Sequence, residues 1–188
     1  FYFFFFFIDA AMRQWKQGLT VLKQAPDSLL KAMLHTNMTW GMLQMINEQE
    51  YLTRAKEFGR DALATYKALD TKEDLGRTLG LLATISHQTG EAVTAQGLFA
   101  SALDAHGDSV LDKIARRETL LRYADLCRAW EKREREAESL QQQANAIELP
   151  DAWREKSVIH SSLWFWTPSK PSGIRQQGLP LYFPAIRS

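Results

Sequence analysis

Residues 81–103 read LLATISHQTGEAVTAQGLFASAL. Within them Ala83, Gly90, Ala95, Phe99 and Ala102 are separated by 7, 5, 4 and 3 residues. Intervals of three and four put side chains on one face of a helix. A glycine between two such faces can end the first helix by taking a left-handed conformation. The stretch therefore predicts two amphipathic helices joined at Gly90, a helical hairpin.

The pattern of its second helix recurs along the chain. Ala95-x-x-x-Phe99-x-x-Ala102-Leu103 has counterparts in Ala55-x-x-x-Gly59-x-x-Ala62-Leu63, in Ala11-x-x-x-Trp15-x-x-Gly18-Leu19 and, weakened, in Ala137-x-x-x-Gln141-x-x-Ala144. The steps are 44, 40 and 42 residues (11 to 55, 55 to 95, 95 to 137). A period of that size is the mark of a solenoid of helical hairpins. The first small residue lets one helix approach another, the large residue fills the groove, and the second small residue admits the next unit. The preceding helices carry Asn37-x-x-Trp40-Gly41, Leu79-x-x-Leu82-Ala83 and Leu120-x-x-Tyr123-Ala124, with small residues where helices should touch. Asp70 or Thr71, ahead of Glu73 and Asp74, reads as a helix start. Residues 9–149 contain one proline, Pro26, and no alternating β-branched run. The expectation is one lone helix over 9–24 and three hairpins, the second helices centred near 15, 59, 99 and 141.

These residues resemble the tetratricopeptide repeat (TPR). Leu79, Leu82, Ala83, Gly90, Ala95, Phe99 and Ala102 fall on that family's consensus positions. The units here are longer than the family's usual ~34 residues, and resemble the extended repeats of LGN-type polarity adaptors and kinesin light chain. Similar long units occur in cohesin-loader and anaphase-promoting-complex scaffold subunits. The resemblance covers about residues 10–149 and implies an all-α, right-handed α-solenoid of antiparallel hairpins. It also implies a concave surface lined by the first helices. Aligning Trp40-Gly41 with Leu82-Ala83 puts His35, Met38, Met42 and Met45 on that surface. Arg77, Gly80, Thr84, His87 and Gln88 follow from the next unit, and Glu118, Leu121, Asp125 and Arg128 from the last. The methionines form an adaptable apolar stripe suited to a peptide or helix, or else they fill the core between hairpins. Family members that clamp the charged tails of heat-shock chaperones use Lys and Asn on this face. Gly80 and Thr84 stand there instead, which argues against such tails.

Composition narrows the function classes. Among 188 residues, 23 basic and 22 acidic side chains give a net charge of +1, which offers no global attraction to nucleic acid or acidic membranes. No run reaches the ~18–20 apolar residues of a membrane span. The single cysteine, Cys127, excludes an internal disulfide and reads as a small buried residue; it either points to a reducing compartment, the cytoplasm or nucleus, or carries no information about location. There is no phosphate loop, His-Glu-x-x-His or cysteine pair. His35, His87, His106 and His160 have no second ligand at helical spacing. The run Glu131-Lys-Arg-Glu-Arg-Glu-Ala-Glu138 mixes signs as solvated helix faces do. No catalytic residue, metal, cofactor or small-molecule substrate is expected.

The ends differ from the middle. Residues 1–8, FYFFFFFI, resemble the translation of a thymidine-rich stretch and read as non-native sequence, too short to supply the partner of the first helix. On that reading the chain is a fragment of a longer array or is completed by a partner. Residues 150–188 hold four prolines between 168 and 184 and no acid after Glu155. They read either as a partner-binding tail anchored by Trp164 and Trp166 or as a disordered or spurious end. The function expected is a non-enzymatic scaffold or adaptor holding a peptide or helix of another protein in the groove, with Met38, Met42, Met45, Arg77, Thr84, His87, Leu121, Asp125 and Arg128 as contacts. The alternatives are a structural subunit packing through its outer surface and a regulatory domain of a longer protein.

Overall fold

The structure, a computed structural model, describes residues 2–44, 49–72, 74–130 and 132–149, with side chains from Phe7 onward. Met45, Glu73, Glu131 and the aromatic segment after residue 149 lie outside the described residues. Among the described residues seven α-helices follow one another: α1 (Tyr2–Val21), α2 (Leu29–Gln44), α3 (Gln49–Ala68), α4 (Leu75–Gln88), α5 (Ala92–Ala105), α6 (Val110–Ala129) and α7 (Glu134–Ala146). A 3-10 turn, Leu22–Gln24, follows α1. Among the described residues there is no strand. The helix around Trp15 starts at Tyr2, ahead of the expected boundary at residue 9, and Ile8 is buried in the core.

Consecutive helices pack antiparallel, α2 with α3, α4 with α5 and α6 with α7 as hairpins. The first helices also pack on one another, α2 on α4 and α4 on α6. The result is an all-α, solenoid-like stack of helical hairpins.

Burial explains why the repeat motif has its spacing. Ala55, Gly59 and Ala62 of α3 are buried, as are Ala95, Phe99 and Ala102 of α5 and Ala137, Leu140 and Ala144 of α7. These helices bury one stripe and leave the rest to water. The first helices differ, because they have neighbours on several sides. From Ala32 to Met42 on α2, every residue except His35 is buried, and α4 is buried from Gly76 to Ala83 without a break.

Large and small residues trade places from one unit to the next. In the first, Trp15 of α1 is fully buried against Gly41 of α2. In the second, α3 presents Gly59 and α4 supplies the bulk with Leu82. In the third, both partners are large: Phe99 and Tyr123 lie with ring centroids 5.4 Å apart and planes 14° from parallel. Each arrangement fills one interhelical gap by a different division of volume.

The turns show two uses of the left-handed region. Gly90, at φ 80°, ends α4: its N–H reaches the His87 carbonyl and the Glu91 N–H reaches the Ser86 carbonyl at 2.8 Å. Asp70, at φ 48°, does the same for α3, with Thr71 N–H on the Tyr66 carbonyl at 3.2 Å. The expected helix start at Asp70 or Thr71 is thus corrected. Asp70 closes the preceding helix, a role aspartate fills because it tolerates this conformation better than most residues. The next helix begins at Leu75 behind Asp74. Ser109 caps α6, its hydroxyl accepting the Asp112 N–H at 3.1 Å and donating to Asp112 Oδ2 at 2.6 Å.

Candidate functional site

The first helices of the three hairpins border a shallow open cleft of about 120 Å³. Trp40, Leu43 and Gln44 border it from the last turns of α2. Arg77, Gly80, Leu81, Thr84 and Gln88 line it along the length of α4, and Glu118, Thr119 and Arg122 come from α6. The lining mixes apolar side chains with amide and hydroxyl groups, and the α6 wall carries a Glu118–Arg122 ion pair of 2.9 Å. That pair is partly solvated and adds little stability, so its groups can be re-paired at small cost.

Of the nine expected contacts, Arg77 and Thr84 line this cleft. Gly80, Gln88 and Glu118, read from the same alignment, line it too. The methionines do not. Met38 and Met42 are 3% and 4% exposed and belong to the core cluster with Trp15, Trp40 and Ile85. Their expected accessibility is corrected: α2 lies among α1, α3 and α4, so the face assigned to solvent is covered. Met45 lies outside the described residues. His87 is half-buried at the end of α4 and is not a lining residue. Leu121, Asp125 and Arg128 also lie off the cleft. Arg128 instead donates to Asp125 at 2.8 Å and to Gln141 of α7 at 3.1 Å, tying the last hairpin together.

Arg77 is a lining residue of unusual kind, being only 6% exposed. Its Nη2 donates to Asn37 Oδ1 of α2 at 2.7 Å, and Nη1 stands 3.7 Å from Asp74 Oδ1. A buried guanidinium needs such partners, since its desolvation is not otherwise offset. Beside it, Thr36 of α2 lies 2.9 Å from Thr78 Oγ1 of α4 and 3.3 Å from Tyr66 Oη of α3. This buried hydroxyl cluster locks the first two hairpins in register behind the cleft.

Two histidines have lowered pKa values, both chiefly through burial. His35 packs against Phe58 with ring centroids 5.8 Å apart. His106, between α4 and α6, is held down to about 4. Burial pushes the Cys127 thiol up. Hydrogen bonds from Arg133 hold Glu136 below the usual carboxylate range, and Arg133 also lies 4.8 Å from the Trp130 ring.

Reasoning from sequence missed Trp40, Leu43 and Gln44, as well as Leu81, Thr119 and Arg122. A shift of the α2 register by two residues would have found Trp40 and Gln44 but not Leu43. The breadth of the cleft, which reaches from α4 onto a flank of α6, leaves no periodic signal.

Among the described residues no group of three or more His, Cys, Asp or Glu side chains is placed to hold a metal ion. No described helix is long and apolar enough to cross a membrane. Compared with protein-family models, with curated proteins and with solved structures, the chain matches none of them.

Proposed function

We propose that this chain is a TPR-like interaction scaffold, with no chemistry of its own, whose cleft between α2, α4 and α6 holds a segment of another protein. The observation that carries the reading is the make-up of that cleft. Leu43, partly exposed, offers apolar contact, and Gln44, Thr84 and Gln88 offer side-chain donors and acceptors to a peptide main chain. Support for the TPR type is the consensus run from Leu79 to Ala102, in which Leu79, Leu82, Ala83, Ala95, Phe99 and Ala102 are buried and Gly90 sits in the turn. The alternative, a subunit packing through its outer surface, has less to stand on. Among the described residues the most exposed large apolar side chains, Val21 and Val93, lie on different helices, and scattered single residues need no partner.

The test is selection of binding peptides from a displayed random library with the intact chain, followed by titration against Thr84→Arg. Arginine at this half-buried cleft position fills the groove without entering the core. The expected result is a loss of affinity of at least about tenfold, with an unchanged melting temperature. Selected peptides that bind the variant as well as the wild type would reject the cleft as the site.

A further inference from the structure

A histidine closes the seam between α4 and α6. His106 follows the last residue of α5 and is 8% exposed. Its ring is seated on Gly76 of α4: a Cβ built on that glycine would lie 2.6 Å from Nδ1 and 2.8 Å from Cγ. On its other edge, Nε2 is 3.1 Å from Thr119 Oγ1 of α6. The Thr119 hydroxyl donates its one proton to the Ala115 carbonyl at 2.8 Å. Toward the histidine it therefore accepts, and Nε2 carries the proton of the neutral ring. Nδ1 is left as a bare lone pair, buried and without a hydrogen-bond partner. Thr119 also closes against Gly80, where a Cβ would stand 2.8 Å from its Oγ1, and it lines the cleft. One neutral ring thus joins α4, α5 and α6 directly below the cleft.

We propose that His106 is a proton-sensitive latch: uptake of a proton at Nδ1 expels the ring from the Gly76 notch and opens the α4–α6 seam. A new N–H at Nδ1 would point into a notch that offers no acceptor, and the charged ring would lose its hydration with nothing to replace it. The charged groups of α6 that act on the ring are Asp112 and Arg116, and they pull in opposite directions. On α4, Gly76 is followed by Arg77, which is paired with Asp74 across it. On α5, Asp104 lies two residues before the histidine and is exposed.

Burial outweighs these groups and sets the closed-state pKa at about 4, below the 6.5 of a free ring. The sign follows. The open state binds the proton more tightly, so closure is fully favoured above 6.5 and is lost as the pH falls toward 4. Between pH 7 and pH 5 the opening equilibrium grows by about 20-fold. This latch operates whatever the cleft holds, so it stands or falls independently of the binding function.

The experiment is hydrogen–deuterium exchange on the full 188-residue chain at pH 7 and pH 5, corrected for intrinsic exchange rates. Amides of α6 are compared with those of α2. The expected result is a roughly 20-fold loss of α6 protection in the wild type. His106→Gln, which keeps a donor for Thr119 but cannot titrate, should lose almost none. Equal loss in both proteins overturns the latch. An NMR titration of the wild-type His106 ring gives a second readout that needs no variant. A midpoint depressed below 6.5 supports the latch, because the ring then resists the proton until the seam opens, and an ordinary midpoint near 6.5 overturns it.

Discussion

Gly59 and Leu82 share one space: a Cβ built on Gly59 would stand 2.7 Å from Leu82 Cδ2 and 3.0 Å from Cγ. This is the tightest expression of the volume exchange that stacks α3 on α4. Gly59→Leu forces Leu82 out of place and should destabilise the chain by about 1–3 kcal/mol. Leu82→Ala opens the complementary space. In the double variant the two changes should offset each other, with a coupling of about 1 kcal/mol or more in a denaturation cycle. Additive losses would mean that the two residues do not compete for the same space.

The two left-handed helix ends give opposite expectations. Asp70 at φ 48° carries a side chain where glycine would be free of strain. Asp70→Gly should raise stability by about 0.5–1 kcal/mol through the folded backbone, less the entropy it adds to the unfolded chain. Gly90→Ala at φ 80° introduces strain with nothing within 4 Å of the new Cβ, so any cost comes from the backbone alone. A loss of about 1 kcal/mol is expected. Urea titrations of both variants decide, and a neutral Gly90→Ala would remove the account of how α4 ends.

Met42 tests the correction to the site. At 4% exposure, Met42→Glu puts a carboxylate into the cluster around Trp15 and Ile85. The expected loss exceeds about 3 kcal/mol and appears first as a fall in melting temperature. A variant that stays as stable as the wild type would return Met42 to the surface and reinstate the methionine stripe as a contact.

Phe99 is fully buried and stacked on Tyr123, at the large position of the third unit. Phe99→Ala leaves a cavity that the rigid small residues Ala95 and Ala102 cannot close, and about 3–5 kcal/mol should be lost. Tyr123→Leu keeps most of the volume and should cost less than half as much. Calorimetry on the two variants checks the ranking.

How far the sequence could be read follows from these environments. The second helices α3, α5 and α7 each have one buried stripe, so the spacing of Ala55, Gly59 and Ala62, or of Ala95, Phe99 and Ala102, is a direct imprint of packing. The hairpins and the turn at Gly90 were legible for that reason. The first helices α2 and α4 are buried on most of their circumference, so periodicity carries no direction there. The inner face of α2 was assigned by aligning Trp40-Gly41 with Leu82-Ala83, and the alignment placed Met38 and Met42 on the wrong side. Volume exchange makes such an alignment unsafe, because Gly41 yields to Trp15 while Leu82 fills the gap left by Gly59. Asp70 was ambiguous because the same residue type caps helix starts and tolerates the left-handed ends of helices. The His106–Gly76 contact joins residues 30 apart, at a position where the motif has no signal.

The most direct measurement of the central claim is a backbone NMR footprint of a selected peptide on the intact chain. The cleft reading predicts that the shifted amides cluster on Leu43, Gln44, Leu81, Thr84, Gln88 and Arg122, along the three first helices. A footprint confined to the solvent faces of α3, α5 and α7 would contradict it and leave the chain as a subunit that docks through its outer surface.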